Sequence, residues 1–167
     1  MTAAPIPEDE GERLTALYRL LILDTPPQER FDKIVAFAAY EFEAPIVLIS
    51  LVDRNRQWFK SKLGIAVCET ARDISFCGHT IMHPAIMVVP ETAADPRFSD
   101  NPLVTGAPFI RFYAGAPLIL ASGHAAGTLC VIDTVPREFD DISIAILSTL
   151  RDLVVQELVS TDGSSRV

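Results

Sequence analysis

The run Ile46-Val47-Leu48-Ile49-Ser50-Leu51-Val52 carries a single hydroxyl among aliphatic side chains. A strand with one solvated face alternates polar and apolar residues. This run does not, so it predicts a strand buried on both faces at the centre of a sheet. Asp53-Arg54-Asn55-Arg56 supplies a polar turn after it, and Gln57 to Lys62 alternates as its antiparallel partner. Alternation places Trp58, Lys60 and Lys62 on one side and Phe59 on the other.

A second pair of β-rich runs, Phe112-Tyr113-Ala114-Gly115-Ala116-Pro117-Leu118 and Gly127-Thr128-Leu129-Cys130-Val131-Ile132-Asp133, is joined by Ala121-Ser122-Gly123-His124 and reads as a hairpin. Ala114, Gly115 and Ala116 leave the first strand almost bare. Glycine inside a strand often marks close approach by a ligand or another backbone, so a pocket is expected over it. Ala114 and Ala116 share one face, and the sequence leaves open which face that is. Upstream, Asp95, Arg97, Asp100 and Arg111 alternate in sign, as expected of a lid closed by its own ion pairs. Arg111 is also placed to clamp an anion, and Trp58 and Tyr113 to line the pocket or pack on the sheet.

Helices account for the remainder. Glu8 to Leu23 has one stripe of Leu14, Leu17, Tyr18, Leu21 and Ile22 and another of Ala16, Leu20 and Leu23. A helix apolar on two faces must bury both, and a second copy of the chain is the simplest cover for the spare one. Thr25, with Gln28 three residues on, is expected to cap a second helix with core stripe Phe31, Ile34, Val35, Ala38, Ala39 and Phe42, ended by Ala44-Pro45. Ser75 is expected to cap a short helix to His83, and Ala85 to Val89 to form a short strand. Asp140 or Asp141 caps a final helix whose stripe runs from Ile142 to Leu158. The sum is an α+β sandwich with helices on one face of an antiparallel sheet.

Composition narrows the function. The chain has 167 residues, 49% of them hydrophobic, and a net charge of -8. That fits one domain over residues 10–160, with tails at 1–9 and 161–167. An acidic surface argues against nucleic acid and anionic membranes as partners. The N-terminus lacks a basic then apolar signal pattern, and no apolar run approaches the ~20 residues of a membrane helix, so a cytoplasmic protein is expected. Three cysteines, Cys68, Cys77 and Cys130, form no disulfide framework. His79 and His83 share a helical face, but a third and fourth ligand are not at evident spacing, so no metal site is expected. Cys130, mid-strand among aliphatic neighbours, reads as a small buried hydrophobe.

Several blocks in order carry a family resemblance: Ser75-Phe76-Cys77-Gly78-His79-Thr80, Asp95 to Pro102, Arg111 to Leu118 and Gly127 to Asp133. They resemble the GAF domains of bacterial sensor proteins. Leu20 to Pro27 and Arg56-Gln57-Trp58-Phe59-Lys60-Ser61 look like the same subfamily. The resemblance implies a central antiparallel sheet of five to six strands, with N- and C-terminal helices on one face and short helices and loops over the other. It also implies a homodimer through the terminal helices, a small-molecule pocket, and an output kinase, diguanylate cyclase or other module. On that footing Trp58, Phe76, Cys77, His79, Arg111, Tyr113, Ala114 and Ala116 are the candidate ligand-binding residues, with the ligand or cofactor unknown.

Other activities found in the superfamily set the alternatives. Bilin attachment uses a cysteine followed directly by histidine, and here Gly78 separates Cys77 from His79. The cyclic-nucleotide signature of Asn-Lys, Phe and Asp-Glu is not found. Free methionine-R-sulfoxide reductase resembles the chain at Cys77-Gly78 and at Val131-Ile132-Asp133-Thr134. Its nucleophilic cysteine belongs in the loop before the hairpin, and residues Val89 to Ala116 contain none. The expectation is therefore a non-enzymatic sensory or regulatory domain, with the thiol enzyme and a ligand-free dimerisation scaffold as alternatives.

Overall fold

The computed structural model describes residues 1–160, and the polar tail expected at 161–167 lies outside them. Strand β1 (Ile46–Val52) is buried along its whole length. It pairs antiparallel with β2 (Arg56–Leu63) on one side and β6 (Ala125–Asp133) on the other. β3 (Glu69–Ala71) extends the sheet beyond β2, while β5 (Phe112–Ile119) and β4 (Met87–Val89) extend it beyond β6, giving the order β3-β2-β1-β6-β5-β4. Every pairing is antiparallel.

Helices α1 (Glu10–Arg19), α2 (Glu29–Phe42) and α5 (Asp141–Val159) cover one face. Their Leu14, Leu17, Phe31, Val35, Leu147 and Val154 join Val47, Ile49, Leu51 and Leu129 in one core. Short helices α3 (Phe76–Thr80) and α4 (Pro102–Thr105) lie over the other face, where Phe76, Phe98 and Val104 meet Ile46, Leu48, Phe59 and Ile132. Two cores on opposite faces explain why β1 carries no polar alternation.

Local chemistry fixes the ends. The Asp140 carboxylate accepts from the Ser143 N–H at 2.8 Å and starts α5. Ser75 Oγ accepts from the Gly78 N–H at 3.0 Å and starts α3. At the end of α2, Glu43 turns left-handed with φ 48° ahead of Pro45. Arg137 covers that end by donating to the Phe42 and Glu43 carbonyls, and Asp133 holds the guanidinium at 2.7 Å. Asp133 Oδ1 also accepts from the Thr134 N–H, so its carboxylate shapes a turn.

Five local expectations are corrected. Helix α1 stops at Arg19, and Leu21 adopts φ 53° with 84% of its surface in solvent. Its second stripe, Ala16, Leu20 and Leu23, packs on the same core as the first, so α1 has no spare apolar face. Thr25 does not cap α2: Gln28 occupies that position, while the Thr25 hydroxyl donates to the Ile22 carbonyl and accepts from Lys60. Lys62 does not share the face of Trp58. A bulge opposite Ile49/Ser50 skips Lys60 in the ladder, so Ser61 turns to the helix face, donating to Asp32 at 2.6 Å, and Lys62 reaches the Ala66 carbonyl. Finally, α3 ends at Thr80, which leaves His83 off the helical face it was expected to share with His79.

Candidate functional site

Between the sheet and the α3/α4 layer lies an apolar cavity of about 320 Å³. Ile46 and Leu48 of β1, Phe59 of β2 and Ile132 of β6 floor it, Phe76 and Leu103 stand at the lid, and the 64–67 loop closes one side. The pleat explains the floor. β1 residues facing away from the helices are Ile46, Leu48, Ser50 and Val52, and the β2 residue opposite Ser50 is Phe59.

A polar network between α3 and the sheet flanks this apolar space. Cys77 Sγ accepts from the Thr128 hydroxyl at 2.9 Å and from the Tyr113 hydroxyl at 3.4 Å, and lies 4.0 Å from Cys130 Sγ. Thr80 and Tyr113 hydroxyls are 2.9 Å apart, so with Tyr113 donating to sulfur, Thr80 donates to Tyr113. Ser50 donates to Gln57, whose amide donates to Thr70 at 2.6 Å. Burial pushes the Cys77 thiol up, but hydrogen bonding from its neighbours, Cys130, Thr128 and Tyr113 foremost, outweighs it and brings the thiol down to about 7. Burial and the neighbouring Cys77 push Cys130 well above the ordinary thiol range, and Tyr113 well above the ordinary phenol.

Of the candidate residues, the structure brings Phe76, Cys77 and Tyr113 together on the cavity wall. His79 stands behind the wall: its ring packs edge-on to Phe98 at 4.9 Å and its Nε2 donates to the Thr2 carbonyl at 3.2 Å. Burial lowers its pKa, with the Thr2 carbonyl opposing. Ala114 and Ala116 are corrected outright, because β5 turns them toward the helices, where both are fully buried. Trp58 is likewise on the helix face, beside a separate recess near Lys60 and Asp32. Arg111 holds Glu91 with two contacts of 2.8 Å outside the cavity, so it is engaged outside the loop it was expected to close. Arg97 does pair within that loop, with Asp95.

The sequence reading missed Phe59, Gln57, Leu103, Ile110 and Thr128 as site residues. Phe59 was legible, since alternation already set it opposite Trp58. Thr128 and Gln57 were not, because a polar residue in a buried strand shows its partner only in three dimensions. Among the described residues, no three His, Cys, Asp or Glu side chains converge as a metal ion requires, and no helix is long and apolar enough to cross a membrane.

A six-stranded antiparallel sheet with terminal helices behind it and a lidded cavity in front defines a recognisable class of α+β domain. The chain belongs to the GAF domain family, whose sequence pattern matches residues 26–158. A cyclic di-GMP phosphodiesterase of Pseudomonas aeruginosa is 42% identical over 159 residues, which is 95% of this chain and 27% of that protein. The chain thus spans about a quarter of that relative's length. Among solved structures, the GAF domain of a Coxiella burnetii phosphoenolpyruvate-protein phosphotransferase superposes with TM-score 0.68 at 13% identity, over 96% of this chain and 100% of that one. A free methionine-R-sulfoxide reductase from Neisseria meningitidis, in complex with its substrate, superposes with TM-score 0.65 at 16% identity, over 96% and 98%. At such identities the likeness is one of fold.

Proposed function

We propose that this GAF domain is a non-enzymatic sensor that binds a small, largely apolar molecule in the cavity under α3 and α4. The observation that carries the reading is the cavity of about 320 Å³, an apolar shell with a few polar groups, Cys77, Tyr113 and Gln57, in its wall. Apolar walls supply affinity and a few placed polar groups fix orientation, the usual division of labour in ligand pockets. Occupancy biases the α3/α4 layer, and the sheet carries that bias to α2 and α5 on the opposite face. A homodimer through these helices then passes it to an output module. The cyclic di-GMP phosphodiesterase relative supports an output of that chemistry.

Sulfoxide reduction is disfavoured by the lid loop, since no cysteine occurs between Val89 and Ala116 to supply the attacking thiolate. The test is native mass spectrometry of purified protein for a co-purifying small molecule, repeated with Ile110→Trp, which fills the cavity wall. A bound species present in the wild type and absent from a folded Ile110→Trp supports the reading. A species that survives the substitution places binding elsewhere.

A further inference from the structure

Two thiols from different layers meet beneath the cavity. Cys77 comes from the layer of short helices and lines the cavity, whereas Cys130 is carried by the central strand β6 and is fully buried. Their sulfurs are 4.0 Å apart and unbonded. A cysteine that serves as a small hydrophobe has no need of donors, yet Cys77 Sγ receives two hydroxyls, from Thr128 and Tyr113, and Thr80 fixes the second by donating to it. Such donors stabilise a sulfur anion without neutralising it.

We propose that Cys77 and Cys130 are a peroxide-sensitive dithiol, with Cys77 the attacking sulfur and Cys130 the resolving one, that closes to a disulfide under the cavity. The oxidant is a small hydroperoxide entering through the apolar space. The Cys77 thiolate attacks its terminal oxygen. The O–O bond breaks, an S–O bond forms, and the alkoxide or hydroxide leaves to take a proton from solvent. Cys130 sulfur then attacks the Cys77 sulfenic acid, the S–O bond breaks, and the departing hydroxide takes the Cys130 proton as water. The dithiol loses two electrons and the peroxide gains them. Burial and the neighbouring Cys77 push the Cys130 thiol up, so Cys130 keeps its proton until the departing hydroxide takes it.

Closing the pair means an S–S distance of ~2.05 Å. The central strand is held on both sides, so the approach falls to the five-residue α3, which is drawn onto the sheet beside Phe76. The device does not depend on the cavity holding a ligand, and it gives the same lid a second input.

The test uses the Cys68→Ser protein, because Cys68 is exposed and its removal leaves the buried pair untouched. Reduced protein is treated with stoichiometric hydrogen peroxide, alkylated after denaturation, and mapped by peptide mass spectrometry. The expected result is loss of both remaining thiols to one Cys77–Cys130 cross-linked peptide, reversed by dithiothreitol. Adding Cys130→Ser is expected to leave Cys77 as a sulfenic acid captured by dimedone. Two thiols still free after a denatured control has oxidised overturn the proposal, and so does a Cys77→Ser protein whose Cys130 oxidises as fast as before.

Discussion

The Tyr113 side chain lies over Gly115: a Cβ on the glycine would sit 2.2 Å from the Tyr113 hydroxyl and 2.6 Å from its ring carbon. The bare stretch of β5 is therefore covered by the strand's own tyrosine two residues earlier. Gly115→Ala must displace that ring and break its hydroxyl bonds to Thr80 and Cys77. The expected cost is about 1–3 kcal/mol, read from urea unfolding. In a Tyr113→Leu background the obstacle is smaller, so the penalty for Gly115→Ala shrinks, and strict additivity of the two changes would refute the contact.

That relationship also marks where the sequence stopped being legible. Strand β1, the stripe of α2 and the Ser75 and Asp140 caps follow from patterns confined to a few neighbouring residues. The small residues of β5 were visible too, but two physical answers fit them. Ala114 and Ala116 make room for helices, and Gly115 makes room for Tyr113, neither of which is a ligand. Strand parity carries no sign, so only the packed structure says which face is which. The bulge at Lys60 likewise reversed the parity of Lys62 without any glycine to announce it.

Glu10 offers the sharpest electrostatic test. Its carboxylate accepts from Arg13 Nε at 2.6 Å and also holds Arg72, and both guanidiniums are almost fully buried. Arg13 reaches on to the Ala125 carbonyl, and Arg72 to those of Asp53 and Arg54, so the cluster ties α1 to the ends of the central strands β6 and β1. Glu10→Gln strands two buried cations and is expected to cost about 3–5 kcal/mol in chemical denaturation. A loss under ~1 kcal/mol would mean that solvent screens the cluster.

The same residue sets an acid limb. Burial pushes the Glu10 carboxyl up, but Arg13 and Arg72 outweigh it and hold it below its ordinary value. A depressed folded pKa means that its stabilisation is complete above the unfolded value of ~4.3 and fades as pH falls through the lower folded value. Wild-type stability should fall across that window more steeply than that of Glu10→Gln, and parallel curves would count against the linkage.

The apolar surface on the helix side predicts the association. Tyr40 of α2 is 81% exposed and Ile142 of α5 is 71% exposed, with Phe37 and Leu153 also open on these two packed helices. We expect a homodimer by light scattering at micromolar concentration, and a folded monomer for Tyr40→Glu with Leu153→Glu. A monomeric wild type, or a double variant that remains dimeric, would move the interface off this face.

Lys60 gives the last prediction, on the alkaline side. The bulge buries its ammonium on the helix face, donating to Thr25 Oγ1 at 2.8 Å and the Pro26 carbonyl at 2.6 Å, with the Phe31 ring centroid 5.6 Å away. Among the described residues no carboxylate bonds it directly. Burial lowers its pKa to about 8, Arg30 adds to the fall, and Asp32 partly opposes. The unfolded chain keeps a lysine near ~10.4, so between the two values the unfolded state binds more protons than the folded one. Stability from this residue therefore rises with pH through that window. The comparison is with Lys60→Met, which fills a similar volume without a charge, so other titrations cancel in the difference. From about pH 7 to about pH 9.5 the wild type should gain stability relative to the variant in urea unfolding. A flat difference would show that Thr25 and Pro26 solvate the ammonium as well as water does.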